Sequence, residues 1–218
     1  MDDRDLSKQV AQHLAIERAF GIEMLPSNKK AAPSKSEALT ALAKEFEHCQ
    51  MCALGQTRTK LVFGAGNPDA ELMFIGEAPG FDEDKQGLPF VGAAGQLLTK
   101  IIEAMKLTRD KVYIANCLKC RPPDNRSPLP TELVTCNPIL MRQIGIIRPK
   151  IICALGKFAA QTLLQSEEPI GRLRGRFFEA HGARVMPTFH PAYLLRNPAE
   201  KKLVWDDMQK VMKELGIG

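Results

Sequence analysis

Six cysteines stand at positions 49, 52, 117, 120, 136 and 153, and their spacing is the first chemistry legible in the chain. Cys49 with Cys52, and Cys117 with Cys120, form two Cys-x-x-Cys pairs; Cys136 and Cys153 stand alone. A two-residue gap lets both sulfurs of a turn face one tetrahedral ion, so the two pairs could hold zinc as a ribbon. A four-iron cluster also needs four thiolates, and one pair plus two single cysteines supplies them equally well. Cys153 sits among apolar neighbours and reads as a small core residue. Cys117 follows a strand, so its side chain can take either direction. Spacing alone leaves both metal readings open.

A second chemical stretch runs from Glu71 to Gln96, ELMFIGEAPGFDEDKQGLPFVGAAGQ. Leu72 to Ile75 is a short apolar run that stops at Gly76 and meets turn chemistry at Pro79 and Gly80, the pattern of a buried parallel strand. Such a strand delivers its following loop to the carboxyl edge of a sheet, where open α/β folds hold ligands. The loop is expected to span about fifteen residues rich in Gly, Pro and acid, a length that inside a compact domain is usually functional. It carries Glu77, Phe81 and Phe90. Asn116 closes a second strand, and His190 follows a third and precedes Pro191.

The elements that must position these groups alternate. Leu97, Leu98, Ile101, Ile102 and Met105 recur at helical spacing after a start near Ala93. Val112 to Ala115 is a strand. The turn RPPDNRSPLP leads to Thr131, which can cap a helix reaching about Ile147. Lys150 to Leu155 is a strand, Gly156 to Gln165 a helix, and Phe177 to Glu179 and Arg184 to Phe189 two further strands around a His-Gly turn. A last helix, about Glu200 to Leu215, places Leu203, Val204, Met208 and Met212 inward. Strands alternating with helices predict a parallel sheet covered on both faces. Ahead of this, Leu6, Val10 and Leu14 share one helix face interrupted by Glu17, and PSNKKAAPSKS from Pro26 to Ser36 reads as a linker. A helix from Glu37 to Phe46 leads into the cysteines. Residues 1–37 are thus expected as an N-terminal helix and polar linker, able to dock a protein partner, and 38–218 as the main domain.

The chain has 218 residues, 44% apolar and 25% charged, enough for one good core. Its net charge of +5 is compatible with an anionic partner without requiring one. No window approaches a membrane span and the N-terminus lacks a secretory core, so a cytoplasmic, reducing setting is expected. Six cysteines in that setting point to metal ligation or core packing before disulfides.

Cys49, Cys52, Cys120 and Cys136, together with GEAPG at 76–80, GLPFVG at 87–92, Asn116 before KCRPP at 119–123, and HPAYLLRNP at 190–198, resemble the family four uracil-DNA glycosylases from about residue 46 to the C-terminus. Residues 1–45 lie outside the resemblance, and Cys117 departs from the family pattern. The resemblance implies a three-layer α/β/α fold with a central, mostly parallel four-stranded sheet. It implies a [4Fe-4S] cluster on those four cysteines, and hydrolytic removal of uracil from DNA by a monomer. Phe90 would stack on the flipped base, Asn116 would pair with O4 and N3–H of uracil, and His190 would donate to the charge developing on O2. Ala78 stands where several related families place an Asp, so Glu77 and main-chain carbonyls are expected to position the water. Leu194 and Leu195 are expected on an exposed turn as an apolar wedge. Arg196, the arginines of GRLRGR at 171–176, Lys119, Arg121 and Arg126 are candidates to meet phosphates. The competing classes are a non-catalytic iron-sulfur or zinc module binding nucleic acid beside a polymerase, and a hydrolase of free nucleotides.

Overall fold

Strands β2 (Leu72–Gly76), β3 (Tyr113–Asn116) and β4 (Ile151–Leu155) are buried along their entire length. That is why they read as unbroken apolar runs rather than alternating ones. In the computed structural model, which describes residues 32–217, they lie at the centre of a six-stranded sheet ordered β1-β3-β2-β4-β6-β5. Strands β3, β2, β4 and β6 (Ala183–Thr188) run parallel. The expected four-stranded sheet is present, but each edge carries an antiparallel addition: β1 (Ala65–Gly66) on β3 and β5 (Phe178–Ala180) on β6. β1 has two residues and β5 three, so the first left no periodic signal in the sequence.

Because successive side chains leave a strand on opposite faces, the sheet builds two cores. Met73, Ile75, Ala115, Ile152, Ala154 and Val185 pack on one side with Leu39, Leu140, Ile144 and Leu163. Those four come from α1 (Lys35–Phe46), α5 (Pro130–Ile147) and α6 (Lys157–Leu164). Leu72, Phe74, Ile114, Cys153, Leu155 and Met186 pack on the other with Leu98, Ile102, Leu194, Val204, Met208 and Val211. These come from α4 (Ala93–Ala104), α8 (Pro191–Arg196) and α9 (Lys201–Glu214). The remaining short helices are α2 (Leu54–Thr57), α3 (Phe81–Gln86) and α7 (Ile170–Leu173). The β2–α4–β3 crossover runs one way along the sheet and the β4–α6–β6 crossover the other. With right-handed connections the covering helices must then fall on opposite faces.

Several local expectations need correction. The loop after β2 is not continuous coil, since α3 occupies its middle. Helix α5 starts at Pro130, a residue suited to a first turn, with the Leu129 amide donating to Glu132, so Thr131 lies inside the helix and does not cap it. The linker ends earlier than read, because Ser34 caps α1 in a reciprocal pair with Glu37. Leu203 is exposed, while Val204 and Met208 are buried as read, with Val211 beside them and Met212 packed partly buried on the same core. The N-terminal helix expected around Leu6, Val10 and Leu14 lies outside the described residues.

One buried polar knot sets where β6 ends. Asp207 of α9 accepts from Thr188 Oγ1 at 2.7 Å and from Arg174 Nη2 at 2.8 Å, with Thr188 and Asp207 both fully buried. This fixes the strand two residues before His190. Removing one member of a buried charged pair costs about 3 kcal/mol. Asp207→Ala is therefore expected to lower the melting temperature by roughly 10 °C for a chain of this size, read by thermal denaturation followed by circular dichroism.

Candidate active site

The carboxyl ends of β2, β3 and β6 open into one cleft of about 490 Å³, whose lining includes Glu77, Ala78, Phe90, Asn116, His190 and Arg196. That size is ordinary for a small-molecule site. Parallel pairing explains the convergence, for Gly76 lies opposite Asn116 in register and the pairing continues past the strand ends, with Cys117 N bonded to Gly76 O and Leu118 N to Glu77 O. Residues far apart in sequence are thereby stacked at one edge.

Asn116 lies at the base of the cleft, 1% exposed, and its Oδ1 is buried without a hydrogen-bond partner. An orphaned buried acceptor is costly unless something else satisfies it. Its main chain is held firmly, since Lys119 Nζ donates to Asn116 O at 2.7 Å and to Gln143 Oε1 at 2.6 Å. Gly76 has to be glycine here: a Cβ would stand 2.5 Å from both Asn116 Oδ1 and Phe90 Cζ.

Phe90 is held in a left-handed backbone conformation, φ 54°, by a frame that the sequence reading missed. Glu83 of α3 accepts from the amides of Gly80, Val91 and Gly92 at 3.1, 2.8 and 2.9 Å. Arg109 donates to the Pro89 and Phe90 carbonyls at 2.7 and 3.0 Å. Gly95 lets the loop press on α4, because a Cβ there would stand 2.0 Å from the Phe90 carbonyl. A Glu three residues after a turn Gly is the capping spacing that could have revealed Glu83. Arg109 carried no comparable signal.

The His190 ring lies 5.6 Å from the Phe90 ring, tilted by 32°. Its Nδ1 accepts from the Ala192 amide at 3.1 Å, so the neutral ring carries its proton on Nε2 and presents it as a donor. Burial, followed by the nearby Arg196 charge and opposed by Glu83, lowers its pKa to about 4. Burial also raises the pKa of Glu77, whose side chain forms no hydrogen bond among the described residues. The cleft thus offers a neutral N–H donor, a carboxylate inclined to take a proton, an aromatic ring and an unpaired amide oxygen.

Residues 63–209 match the profile of the Uracil DNA glycosylase superfamily. The chain is 45% identical over 186 residues to the type-4 uracil-DNA glycosylase of Saccharolobus solfataricus, covering 81% of this chain and 86% of that protein. It is 42% identical over 183 residues to the type-4 enzyme of Archaeoglobus fulgidus, covering 80% and 92%. With the type-4 enzyme of Thermotoga maritima the identity is 41% over 181 residues, covering 81% and 94%. The chain belongs to the type-4 uracil-DNA glycosylases.

In this type-4 uracil-DNA glycosylase the cysteines divide. Cys52, Cys120 and Cys136 surround one apolar cluster with Leu54 and Leu118. The Cys120 thiol, raised first by burial, also feels Cys52 and Cys49, so the four expected sulfurs share one neighbourhood. Arg58 Nη1 lies 3.1 Å from Cys120 Sγ. Cys117 packs in the core with Leu140 and Ile144, where burial pushes its thiol up to about 12, and Cys153 is a core residue as read. Cys117 and Cys120 therefore fall in different packing clusters. Among the described residues no three His, Cys, Asp or Glu side chains gather as for a single ion. Cys49, Cys52, Cys120 and Cys136 neighbour one another and are soft thiolate donors, the chemistry that an iron–sulfur or zinc group takes.

In α8 Leu195 is exposed while Leu194 is 1% exposed in the core, so of the two only Leu195 faces solvent. Helix α8, rather than an open turn, separates the two faces. Lys119 is buried and cannot reach a phosphate. Arg174 is committed to Asp207. Arg126 lines the cleft, steadied by a two-pronged contact with Glu132 at 2.9 and 2.6 Å, and Arg196 lines it too. Among the described residues no helix is long and apolar enough to cross a membrane.

The His190 environment fixes a pH dependence. Its folded pKa, near 4, lies below the ordinary imidazole value of ~6.5, so between those values the unfolded chain binds a proton that the native one refuses. This contribution to stability is complete above about pH 6.5 and is lost as pH falls toward 4. An NMR titration of the ring nitrogens is expected to show His190 neutral, with the proton on Nε2, down to about pH 5; a midpoint above 6 would contradict the assignment.

Proposed function

We propose that this chain hydrolyses the N-glycosidic bond of deoxyuridine in DNA, releasing uracil and leaving an abasic site. The observation that carries this reading is the buried, unpartnered Oδ1 of Asn116, framed by Phe90 and His190. In this reading the base leaves the stack and enters the cleft. Phe90 stacks on its face. Asn116 Oδ1 accepts from N3–H while its Nδ2 donates to O4, a pattern that cytosine, with a donor at N4 and an acceptor at N3, opposes.

As the bond from N1 to C1′ breaks, electrons move onto the base and the sugar becomes cationic. His190 Nε2–H donates to the charge gathering on O2, a contact worth ~3–4 kcal/mol in comparable sites. Because the ring is neutral, it gives a hydrogen bond without first having to lose a charge. Glu77 positions the water that attacks C1′ and takes up its proton, a task suited to a carboxylate whose pKa is raised by burial. Ala78 offers no carboxylate of its own. Leu195 fills the gap left in a duplex, and Arg126 and Arg196 meet the backbone. Cys49, Cys52, Cys120 and Cys136 would hold a [4Fe-4S] cluster, and through it would tie together the segment before α2, the exit of β3 and the first turns of α5.

The deciding experiment is uracil release from a labelled oligonucleotide, with alkali revealing the abasic site. The parent is expected to cut at uracil and leave cytosine intact. Asn116→Asp replaces the amide donor by an acceptor, and is expected to lose uracil excision by ~10³-fold while keeping colour and fold. Excision at the parental rate would remove Asn116 from base reading.

For the cluster, purified protein is expected to be brown, with broad absorption near ~400 nm and four irons per chain. Cys136→Ala is expected to bleach it and Cys117→Ala to leave it coloured. The reverse pair of results would restore the Cys117–Cys120 pairing.

A further inference from the structure

Phe81 opens helix α3 immediately after Gly80, which lines the cleft, and is 48% exposed. Two cations attend its ring: Lys85 Nζ lies 4.3 Å and Arg121 Cζ 5.1 Å from the centroid. Arg121 Nε donates to Asn125 Oδ1 at 2.7 Å, and Asn125 lines the same cleft. The neighbouring Asp82 carboxylate lies beside Gly92. An exposed aromatic is unremarked when solitary. One bracketed by cations and continuous with a cleft has the composition of a single-strand nucleic-acid platform.

We propose that Phe81, Lys85 and Arg121 form a stacking subsite for a nucleobase flanking the flipped uridine, with the two cations placed for that nucleotide's phosphates. This rests on the cleft being the uracil pocket. The half-exposed ring is already attended by two cations when free, so a base that stacks on an attended face displaces a cation. Cation–π pairing at an exposed site is worth about 2- to 5-fold in an equilibrium constant, whereas base–aromatic stacking is worth about 5- to 150-fold. The base therefore wins the ring, and the displaced Lys85 or Arg121 gains a phosphate in exchange. The subsite is sequence-tolerant, because every base offers a π face.

The test uses the full chain and a fluorescein-labelled single strand carrying 2′-fluoroarabino-deoxyuridine, whose fluorine slows bond cleavage so that binding is read alone. Phe81→Ala is expected to raise Kd by about 5- to 100-fold in anisotropy titrations. Phe81→Trp is expected to bind within about threefold of the parent, with indole fluorescence quenched beyond the change that Trp205 gives in the parent. Arg121→Gln and Lys85→Gln are each expected to flatten the dependence of log Kd on log salt by about 0.7. Parental affinity in Phe81→Ala, or a Phe81→Trp signal that DNA leaves unquenched, would overturn the subsite. A parallel uracil-release assay separates the two readings. If the parent releases uracil and Phe81→Ala binds like it, only the subsite fails; if the parent releases none, the pocket assignment fails and takes the subsite with it.

Discussion

The parallel register of β2 on β3 is the constraint from which the site follows. It sets Gly76 opposite Asn116, and the missing Cβ at Gly76 leaves just enough room for the Asn116 amide and the Phe90 ring to share one corner. A slip of one residue would turn Asn116 to the other face and bring a side chain into that corner. The buried runs of β2, β3 and β4 make such a slip expensive, since every residue in them would change cores. The precision of the cleft is therefore inherited from hydrophobic packing well below it.

On this rigid edge the charges are arranged by burial rather than by pairing. His190 is kept neutral and Glu77 is left without a hydrogen-bonded partner. Counter-charges stand one layer back, where they hold backbone: Glu83 and Arg109 fix the Phe90 loop, and Lys119 fixes the Asn116 carbonyl. A group that holds the frame can be fully satisfied, while a group that meets the base has to retain an unused donor or acceptor.

Much of this was legible in the sequence because the signals were local. Apolar runs closed by Gly or Asn gave β2 and β3 and put Glu77 and Asn116 at a sheet edge; the helical spacing of Leu98 and Ile102 gave α4. The cleft brings together Glu77, Ala78, Phe90, Asn116, His190 and Arg196 as the resemblance implied. What failed was direction. Leu194 and Leu195 are adjacent, and only the rotation of α8 decides which is wet. Lys119 reads as a phosphate ligand in any linear view, and only the approach of Gln143 from α5 shows it to be an internal strut. Arg109 gave no sign at all, because carbonyls are its partners and every residue has one.

The fragments that make up the cleft are separated by most of the domain's length, and no pair of consecutive elements contains them all. The cleft is consequently a property of the finished chain: a partly folded species with β2 and β3 joined but β6 undocked would have the amide and lack the imidazole. Ligand that binds only the native state draws the population toward it by mass action. The cleft is therefore complete only when all three strand ends have arrived.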